Sequence, residues 1–528
     1  MKSKQTEEQK SSGSKSFWIR ILKRKKTGKR SWLLRSLDRI ELVGNKLPHP
    51  ATLFALFALI TLILSYIINR SGASAIHPGN GDQIFAVNLL NAEGFRFIFA
   101  NAEKNFVLFP PLGIVLVAMI GIGVADGSGL ISALLRHLVT TAPKRLVTPA
   151  VIAAGILSHL ASSAGYVVLI PLGALVFAAF KRHPLAGLAA AFCGVSGGFG
   201  ANFLIGSVDP ILAGLTQSAA NIIDPTIQIS PAVNFYFMLA SAFLVVIIGT
   251  WVTEKFVEPR LGEYHGQLED FENVQPHEKR GLLWAGISAL IVTIVLVILT
   301  VPENAVLRDP ESGSLLHSPF MSGLITAILV FFFIPGLAYG IAVGSIKNEK
   351  DVVKHMTSSM KGLAGYIVLV FFAAQFVYYF QKSNIGILLA IKGAEFLQSV
   401  GFTGIALLVS FVLVSAFINL FMGSASAKWA IMAPVFVPMF MLLGYHPGLT
   451  QAAFRIGDSL TNIITPMMSY FALIVAFAQK YDEDSGIGTI IATMLPYTIA
   501  LTIFWTALLA VWMIWGLPVG PGAPLMLP

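Results

Sequence analysis

Two stretches of this sequence decide the fold: SSAGYVVLIPLGALVFAAFKRHP at 162–184 and GSASAKWAIMAPVFVPMFMLLGYHP at 423–447. Each begins with small and polar residues, continues as an apolar run that contains proline, and ends at a His-Pro pair. A small, polar tip inside apolar sequence predicts two half-length helices joined by a break, which is the pattern of a re-entrant helical hairpin. We place these hairpins at about 158–182 and about 423–445.

The match between the two regions continues beyond the tips at a nearly constant offset of 260 to 263 positions. The matched pairs are Ser162 and Ser424, Pro171 and Pro434, His183 and His446, Phe192 and Phe454, and Asn202 and Asn462. Their common order predicts an internal repeat with a broken helix in each half, which is typical of a secondary transporter. Kinked helices that merely pack through small residues are the alternative interpretation.

The composition is that of a membrane protein. Of the 528 residues, 55% are hydrophobic and 12% are charged, and the mean hydropathy is +0.75. Soluble domains carry about 25% charged residues, so this chain has too little polar surface to cover itself in water. The apolar stretches recur at about 20 residues, the length of a membrane-spanning helix, without the alternation of a barrel strand. The predicted fold class is therefore an all-α polytopic membrane protein.

The net charge of +9 is concentrated at one end of the chain. Residues 1–46 hold 14 Lys or Arg and 4 Asp or Glu, a net of +10, which leaves 22 basic and 23 acidic residues elsewhere. Such an arm before the first span indicates a cytoplasmic N-terminus and contact with anionic lipids. Because no nucleic-acid-binding fold accompanies the arm, we predict no nucleic-acid partner. Cys193 is the single cysteine, which excludes intrachain disulfides.

We predict about nine transmembrane helices plus the two re-entrant hairpins. An odd number of spans, together with the absence of charge after Gly516, places the C-terminus outside. The predicted units are a cytoplasmic arm at 1–46, a first transmembrane block at 51–253, a cytoplasmic connection at 254–281, middle spans at 282–361, a second transmembrane block at 363–516, and an extracytoplasmic tail at 517–528.

Charged residues inside the apolar blocks are the first candidates for a site: Asp209, Lys428, Arg455 and Asp458. A central charge costs about 2.5–3.5 kcal/mol on insertion scales, so each needs a partner or a cavity. Arg455, Asp458 and Asn462 are spaced to share one helix face, and Arg455 can pair with Asp458 at i, i+3. The pair is either a structural ion pair or a solute clamp with a coupling carboxylate. At an offset of 262 these two charges correspond to the uncharged Cys193 and Ser196.

Further candidates surround these charges. Asn202 and Asp209 are spaced to share a helix face, and Asp209 has no basic neighbour in its own helix, which favours a proton or sodium carboxylate. Trp429 could stack on an aromatic solute or belong to packing. Asn419 could bind a cation or cap the break before the second tip. The tips, with Ser162, Ser163 and Ser424, are candidates for holding Na⁺ because half-helix ends expose carbonyl groups.

Several motifs resemble the p-aminobenzoyl-glutamate transporter (AbgT) family. They are GNKLPHP at 44–50, EPRLG at 258–262, SASAKW at 424–429, APVFVPMFMLLGYHP at 433–447 and FRIGDS at 454–459. The similarity covers nearly the whole chain after residue 38. It implies nine transmembrane helices with two re-entrant hairpins, an inverted repeat and a homodimer. It also implies ion-coupled import of p-aminobenzoyl-glutamate, a folate breakdown product, or export of sulfonamide antimetabolites.

The family's functional residues, transferred by motif, fall on positions of both halves. They are Asp209, Ser426, Trp429, Pro447, Arg455, Asp458 and Pro466. Relatives often carry an aspartate in the first tip where this chain has Ser163, so the coupling ion or its stoichiometry can differ here.

The leading prediction is an ion-coupled secondary transporter of p-aminobenzoyl-glutamate or a related aromatic amide. Arg455, Lys428 and half-helix N-termini suit the solute's carboxylates, and Trp429 suits its ring. A proton-driven exporter of sulfonamides is the alternative. The sequence contains no Walker A pattern, so ATP is not the direct driver, and Na⁺ or H⁺ is the expected coupling ion with no other cofactor. A membrane-embedded enzyme is a remote alternative, because no H-E-x-x-H motif and no convincing Ser/His/Asp set is present.

Overall fold

The structure is a computed structural model that describes 48, 50–76, 82–160, 165–264, 275–315, 318–468 and 470–527. The predicted N-terminal arm lies outside the described residues, as do Ser162 and Ser163 of the first tip.

The first half of the described chain is almost entirely helical. Its helices are α1 (Pro50–Arg70), α2 (Ala92–Val107), α3 (Pro110–Gly127), α4 (Leu130–Thr140), α5 (Val147–Leu157), α6 (Ile170–Ala179), α7 (Pro184–Phe192), α8 (Val208–Ala220), α9 (Phe235–Val252) and the short α10 (Glu258–Leu261). Three π-helical turns, Gly165–Leu169, Cys193–Gly197 and Thr253–Val257, adjoin α6, α7 and α9. Two short 3₁₀ turns, Lys144–Leu146 and Ser158–Leu160, flank α5, and β1 (Ser74–Ile76) pairs with β2 (Gln83–Phe85) in an antiparallel hairpin.

The second half is also helical. Its helices are α11 (Pro276–Thr300), α12 (Pro319–Ser322), α13 (Leu324–Val343), α14 (Glu349–Gly362), α15 (Ala364–Lys382), α16 (Ile385–Ser399), α17 (Gly404–Asn419), α18 (Ala425–Leu442), α19 (Pro447–Asn462), α20 (Phe471–Gln479) and α21 (Ile487–Ile514). The all-α prediction is confirmed.

Eight helical segments within the described residues are long and apolar enough to cross a membrane. Apolar helices of 10 to 17 residues, among them α17, fall below that length, so the count of nine spans stays a prediction. Helix α11 shows why a membrane is required: Leu283, Leu290 and Ile298 are each about 60% exposed along its length. A helix that exposes large aliphatic side chains over sixteen residues is stable only against lipid or another apolar surface.

The two His-Pro turns have the same local structure. His183 precedes α7 and His446 precedes α19, and each helix begins with the following proline. In each turn the imidazole Nδ1 accepts a hydrogen bond from a backbone N–H two residues on, at 3.2 Å for Leu185 and 3.0 Å for Gly448. Proline is favoured at the first helical position because it has no N–H to satisfy there. The sequence match therefore reports a repeated structural unit.

The two repeats point in opposite directions. The His183 ring packs edge-on against Tyr264, just beyond the end of α10. The second turn lies at the other end of α9, where Asn234 donates a hydrogen bond from Nδ2 to the carbonyl of Gly448 at 2.6 Å. Since α9 and α10 run as one rod between these two points, the turns lie at opposite ends of the molecule. This arrangement confirms the inverted repeat.

Glycine contacts show that the repeats also pack alike. A Cβ on Gly194 would lie 2.4 Å from the carbonyl oxygen of Ile152, and a Cβ on Gly457 would lie 2.4 Å from that of Val412. Both positions require glycine because the neighbouring helix backbone approaches too closely for a side chain. The two glycines are 263 positions apart, as the His-Pro turns are. The offset between the repeats at this point is therefore 263 instead of the 262 used in the sequence comparison. Asp458 is then opposite Val195 rather than Ser196, and it still has no charged counterpart.

Two predicted boundaries differ from the structure. Within 254–281 the chain remains helical to Leu261 and is helical again from Pro276, so the connection is shorter than its polar composition suggested. Within 423–445 there is one helix, α18, instead of two half-helices. The break before the second tip separates α18 from α17, and α18 continues through Pro434 and Pro438. Helices tolerate proline in such surroundings because neighbouring groups satisfy the freed backbone carbonyls.

Candidate functional site

The four charged side chains singled out from the sequence come together in the interior. Asp209, Lys428, Arg455 and Asp458 are each 1–4% exposed, and they form two ion pairs. Two positive and two negative charges make the group neutral as a whole. We call these four residues the charge quartet. A buried charge is tolerated when it is paired and hydrogen-bonded, and each member of the quartet meets that condition.

The first pair joins the two repeats. Arg455 of α19 binds Asp209 with its Nη1 2.6 Å from Oδ1, and its Nε donates to the carbonyl of Gly200 at 3.3 Å. Asp209 is the second residue of α8, and its Oδ2 accepts a hydrogen bond of 2.6 Å from the backbone N–H of Gly206. A carboxylate in the first turn of a helix is also stabilised by the helix dipole. The prediction that Asp209 lacks a basic neighbour in its own helix is correct, but it is not a free charge.

The second pair lies within the second repeat. Lys428 of α18 contacts Oδ1 of Asp458 and Oδ1 of Asn419. Asn419, the last residue of α17, turns its Nδ2 toward three acceptors: the carbonyl of Asp458 at 2.6 Å, Oγ1 of Thr461 at 2.9 Å and Oδ1 of Asn462 at 2.9 Å. Asn462 in turn lies 3.5 Å from Oδ2 of Asp458. The predicted members Asn419 and Asn462 therefore belong to the same site as the ion pair.

The predicted pairing of Arg455 with Asp458 is wrong. Although they are three residues apart on α19, Arg455 binds Asp209 and Asp458 binds Lys428. The reason lies in the environment of α19, whose sixteen residues are all buried. A helix surrounded by other helices can satisfy each charge from a different neighbour, and the i, i+3 pair that suits an exposed helix then has no advantage. Two inter-helix pairs hold α8, α18 and α19 together instead.

Trp429 packs inside the protein. It is fully buried, its ring stacks on Phe454 at a centroid distance of 4.5 Å and an interplanar angle of 28°, and its Nε1 donates to Oγ1 of Thr216 at 2.8 Å. Both the ring and the N–H of Trp429 therefore contact other side chains of the protein. Of the two interpretations left open by the sequence, this geometry supports packing and disfavours stacking on a solute.

A chain of hydrogen bonds that the sequence reasoning missed extends from Trp429 toward α9. Thr216 of α8 contacts Oε1 of Gln451 at 2.5 Å, Gln451 donates to Oδ1 of Asn234 at 2.7 Å, and Asn234 donates to the carbonyl of Gly448. The available signal was the presence of Thr216, Gln451 and Asn234 inside apolar sequence. These hydrogen bonds connect α18, α8 and α19 at a second place, separate from the charge quartet.

The described tip contains candidate ligands that are open to their surroundings. Ser424 is exposed and caps α18, with its Oγ accepting from the N–H of Ala427 at 3.4 Å and lying 3.3 Å from Oγ of Ser426. Hydroxyl groups at a helix start satisfy orphan N–H groups, which is an adequate structural reason for them. The role of this tip in holding Na⁺ stays a prediction, and Ser162 and Ser163 lie outside the described residues.

Asn202 occupies an unwound segment. Residues 198–207 between the second π-turn and α8 are not helical, so the predicted helix face shared by Asn202 and Asp209 does not exist. The Oδ1 of Asn202 accepts from the N–H of Phe203 at 2.9 Å, and its Nδ2 lies beside Gly206. Asn202 therefore lies next to the residue whose N–H binds Asp209, and it does not contact Asp209 along a helix face.

The two prolines transferred by motif mark the ends of α19. Pro447 is its first residue, and Pro466 lies in the unwound segment that follows it. Beside Pro466, Oγ1 of Thr465 donates to the carbonyl of Leu420 at 2.9 Å, which ties this segment to the break before the second tip. These prolines therefore fix where the charge-bearing helix starts and stops, and their direct contact with a solute stays a prediction.

The EPRLG motif forms an ion-pair cluster at one end of the bundle. Glu258 binds Arg182 through two hydrogen bonds, of 2.8 Å from Nε and 2.5 Å from Nη2. Nη1 of Arg182 donates to Thr148, which also donates to Glu254 at 2.8 Å. Two-pronged pairing of arginine with a carboxylate is geometrically specific. The motif thus anchors the first His-Pro turn to the end of α9.

Sequence reasoning also missed a pair of stacked tyrosines at the seam between the repeats. The rings of Tyr166 and Tyr470 are 4.5 Å apart with an interplanar angle of 11°. The hydroxyl of Tyr166 donates to Oγ of Ser196 at 3.3 Å, and the π-turn that holds Ser196 packs against α19. The pairing could not be read from the sequence because 304 positions separate the two residues, although each lies directly beside a helix break.

Comparison with known proteins adds an independent observation. A sequence profile of the AbgT putative transporter family matches residues 35–527 of this chain. The chain is 38% identical over 484 residues to the p-aminobenzoyl-glutamate transport protein of Escherichia coli (strain K12), which covers 92% of this chain and 95% of that protein.

Two solved structures are similar over nearly the same extent. The YdaH transporter of Alcanivorax borkumensis shares 46% identity with a TM-score of 0.86, covering 90% of this chain and 100% of that one. MtrF of Neisseria gonorrhoeae, described as illuminating a class of antimetabolite efflux pumps, shares 49% identity with a TM-score of 0.88, covering 92% of this chain and 100% of that one.

Proposed function

The chain belongs to the AbgT putative transporter family, and we propose that it is an ion-coupled secondary transporter of p-aminobenzoyl-glutamate or a related aromatic amide. The resemblance seen in its motifs is thereby confirmed, while the solute and the coupling ion are proposals. The observation that carries the proposal is the charge quartet, which combines two cations and two carboxylates in the interior of a membrane protein. The proposal makes the chain a carrier and assigns it no enzymatic reaction.

The quartet supplies the right groups for both a solute and an ion. The glutamate part of the solute carries two carboxylates, which suit Arg455 and Lys428. A proton or Na⁺ suits Asp209 and Asp458, because removing the arginine or lysine partner leaves a buried carboxylate that must be neutralised. Breaking a buried pair without replacement costs about 3–5 kcal/mol. Solute and ion together can replace the internal partners without leaving a bare charge.

Coupling follows from this exchange. When a solute carboxylate takes Arg455 from Asp209, the carboxylate of Asp209 takes up a cation or a proton. Binding either ligand alone leaves one member of the quartet unpaired, so the state with both ligands and the state with neither are favoured. A carrier that changes its facing direction only in those two states moves solute and ion together.

The inverted repeat provides two facing directions from one sequence. Because the repeats are similar in fold and opposite in direction, each can adopt the arrangement of the other, and this exchanges the side from which the site is open. The membrane proposed is the bacterial inner membrane, with the N-terminus in the cytoplasm and a homodimer as the assembly. The net +10 of residues 1–46 supports the orientation.

Sulfonamide export is the second candidate, and it is supported by the 49% identity to MtrF. A sulfonamide offers an aromatic ring and a partly ionised sulfonyl amide, so it places less demand on the cationic groups than two carboxylates do. Both candidates use the same site, and they differ in the direction of net movement.

The test is accumulation in proteoliposomes under an imposed proton or sodium gradient. We expect p-aminobenzoyl-glutamate to concentrate against its own gradient, and a side-by-side assay with a sulfonamide decides between the candidates. Equilibration of the solute without accumulation under either gradient would show a passive channel. Lack of both binding and movement for both solutes would reject the proposed function.

A further inference from the structure

We infer that Tyr166 and Tyr470 form the aromatic subsite of the transport path, where the ring of an aroyl-glutamate solute stacks on Tyr470 in place of Tyr166. The inference rests on the proposed function and names the part of the site that recognises the ring. It replaces Trp429, whose ring and N–H are both occupied within the protein.

The first reason is the position of the pair in the repeat. Tyr166 lies 262 positions before Lys428, and Tyr470 lies 261 positions after Asp209, offsets close to those that relate the two repeats. Tyr166 therefore has the position in the first repeat that Lys428 has in the second. Tyr470 has the position in the second repeat that Asp209 has in the first. At each of these two corresponding positions, one repeat carries a charged side chain and the other carries an aromatic ring.

The second reason is the proximity of this pair to the charge quartet. The hydroxyl of Tyr166 donates to Ser196 in the π-turn Cys193–Gly197, and that turn packs against α19, which carries Arg455 and Asp458. A p-aminobenzoyl-glutamate molecule has its ring and its carboxylates on opposite sides of one amide group. A ring held at the tyrosines thus directs the glutamate part toward Lys428 and Arg455.

The third reason is that the pair can open at low cost. Tyr166 belongs to the π-turn Gly165–Leu169, and Tyr470 precedes α20 in an unwound segment, so neither is held in the middle of a regular helix. Tyr470 is partly exposed, whereas Trp429 and Phe454, the other stacked pair among the described residues, are fully buried. Turning Tyr470 away from Tyr166 and onto a solute ring exchanges one stacked contact for another.

The polar contacts of the pair are weak and replaceable. Oγ of Ser196 receives the hydroxyl of Tyr166 at 3.3 Å and lies 3.1 Å from the sulfur of Met468. The contact with Tyr166 is long for two hydroxyl groups, so an amide of the solute can take its place. Ser196 therefore offers a polar contact between the ring subsite and the charges.

The experiment compares two solutes that differ only in aromaticity, benzoyl-glutamate and cyclohexanecarbonyl-glutamate, in competition with p-aminobenzoyl-glutamate for the purified protein. We expect the wild type to prefer the aromatic solute by about tenfold, the value of one good ring stack. Tyr470→Leu should reduce the preference to about twofold or less, whereas Tyr470→Phe should keep it. Phe243→Leu, which removes an exposed ring from α9, should leave it unchanged.

Equal binding of the two solutes by the wild type would overturn the inference without any variant, and so would a tenfold preference that survives in Tyr470→Leu. Tyr470→Met, which is closer in volume, serves if the leucine variant does not fold. If the wild type binds none of the three acyl-glutamates, the proposed function itself fails, and that result is distinct from binding without aromatic preference.

Discussion

The two repeats of this protein share a scaffold and differ in chemistry. Each has a broken apolar run, a turn capped by histidine and opened by proline, and a glycine that lies against a neighbouring carbonyl. The second repeat adds Lys428, Arg455 and Asp458, while the positions of the first repeat that correspond to them, Tyr166 and residues within 192–196, carry no charge. Features present in both repeats belong to the inverted architecture, and features present in only one repeat mark the candidate functional site.

One of the two ion pairs of the charge quartet crosses this division. Asp209 is the first repeat's contribution to the charge quartet, and Arg455 is its partner in the second. A bond between the repeats must be remade when their relative arrangement changes, whereas a bond within one repeat, such as Lys428 with Asp458, can be kept. If both pairs open to ligands as proposed, we therefore expect the crossing pair to respond in addition to the change of facing direction.

The largest effect is expected from removing one partner of the crossing pair. Arg455→Ala leaves the carboxylate of Asp209 buried without its cation, which should lower the free energy of unfolding by about 3–5 kcal/mol and abolish transport. Thermal unfolding of the purified variant and uptake in proteoliposomes measure the two consequences.

The double variant Arg455→Ala/Asp209→Ala is the matched control for this prediction. It removes both charges, so most of the stability should return, while transport should stay absent because the solute and ion groups are gone. Normal transport by the double variant would show that the pair is structural and that the site lies elsewhere.

The second prediction compares the two His-Pro turns. Burial lowers the pKa of His446 from 6.5 to about 4, whereas the pKa of His183 is lowered by burial but raised in part by Asp482 and Glu258. His446 is thus neutral in the folded protein down to about pH 4, and below about pH 6.5 it takes up a proton when the protein unfolds. Its stabilising contribution is complete above about pH 6.5 and is lost as pH falls toward 4.

We expect wild-type protein to lose about 2 kcal/mol more than His446→Asn between pH 7.5 and pH 5, because asparagine caps the helix without titrating. His183→Asn, the counterpart in the first repeat, should change this pH dependence less. Denaturation of the three proteins across this pH range measures the difference, and identical profiles for wild type and His446→Asn would contradict it.

The third and smallest effect concerns Trp429. Trp429→Phe keeps a stacked ring on Phe454 and loses the hydrogen bond to Thr216, so stability should fall by about 1–2 kcal/mol. Since the ring is assigned to packing, binding of p-aminobenzoyl-glutamate and of a sulfonamide should change by the same small factor. A loss confined to aromatic solutes, measured against cyclohexanecarbonyl-glutamate, would return Trp429 to the binding site and weaken the case for the tyrosines.

Much of the scaffold could be predicted from the sequence because it depends on local or periodic features. The tips, the His-Pro turns and the repeat are visible as residue types at fixed offsets, and Asp209, Lys428, Arg455 and Asp458 are visible as charges in apolar runs. These features carry their own physical reason, since a buried charge or a break in an apolar helix is costly without a function or a partner.

The partners of these residues could not be predicted because they depend on which helices meet. Arg455 and Asp209 are 246 positions apart, and Tyr166 and Tyr470 are 304 apart. Spacing along one helix suggested Arg455 with Asp458, and Asn202 with Asp209, but α19 is enclosed by other helices and Asn202 lies in an unwound segment. Periodicity rules describe an isolated helix, and they fail where neighbouring helices supply the contacts or where the helix stops.

The measurement that tests the central claim most directly is the ion dependence of p-aminobenzoyl-glutamate accumulation in wild type and in Asp209→Asn. Asparagine keeps the size of the side chain and one of the two acceptor oxygens that Arg455 and Gly206 use, and it removes the negative charge that would bind H⁺ or Na⁺ once Arg455 turns to the solute. We expect the variant to retain solute binding and exchange between loaded and external solute, and to lose accumulation together with the pH or sodium dependence of the wild type. Gradient-driven accumulation by Asp209→Asn with unchanged pH and sodium dependence would remove the crossing pair from the coupling mechanism and contradict the account.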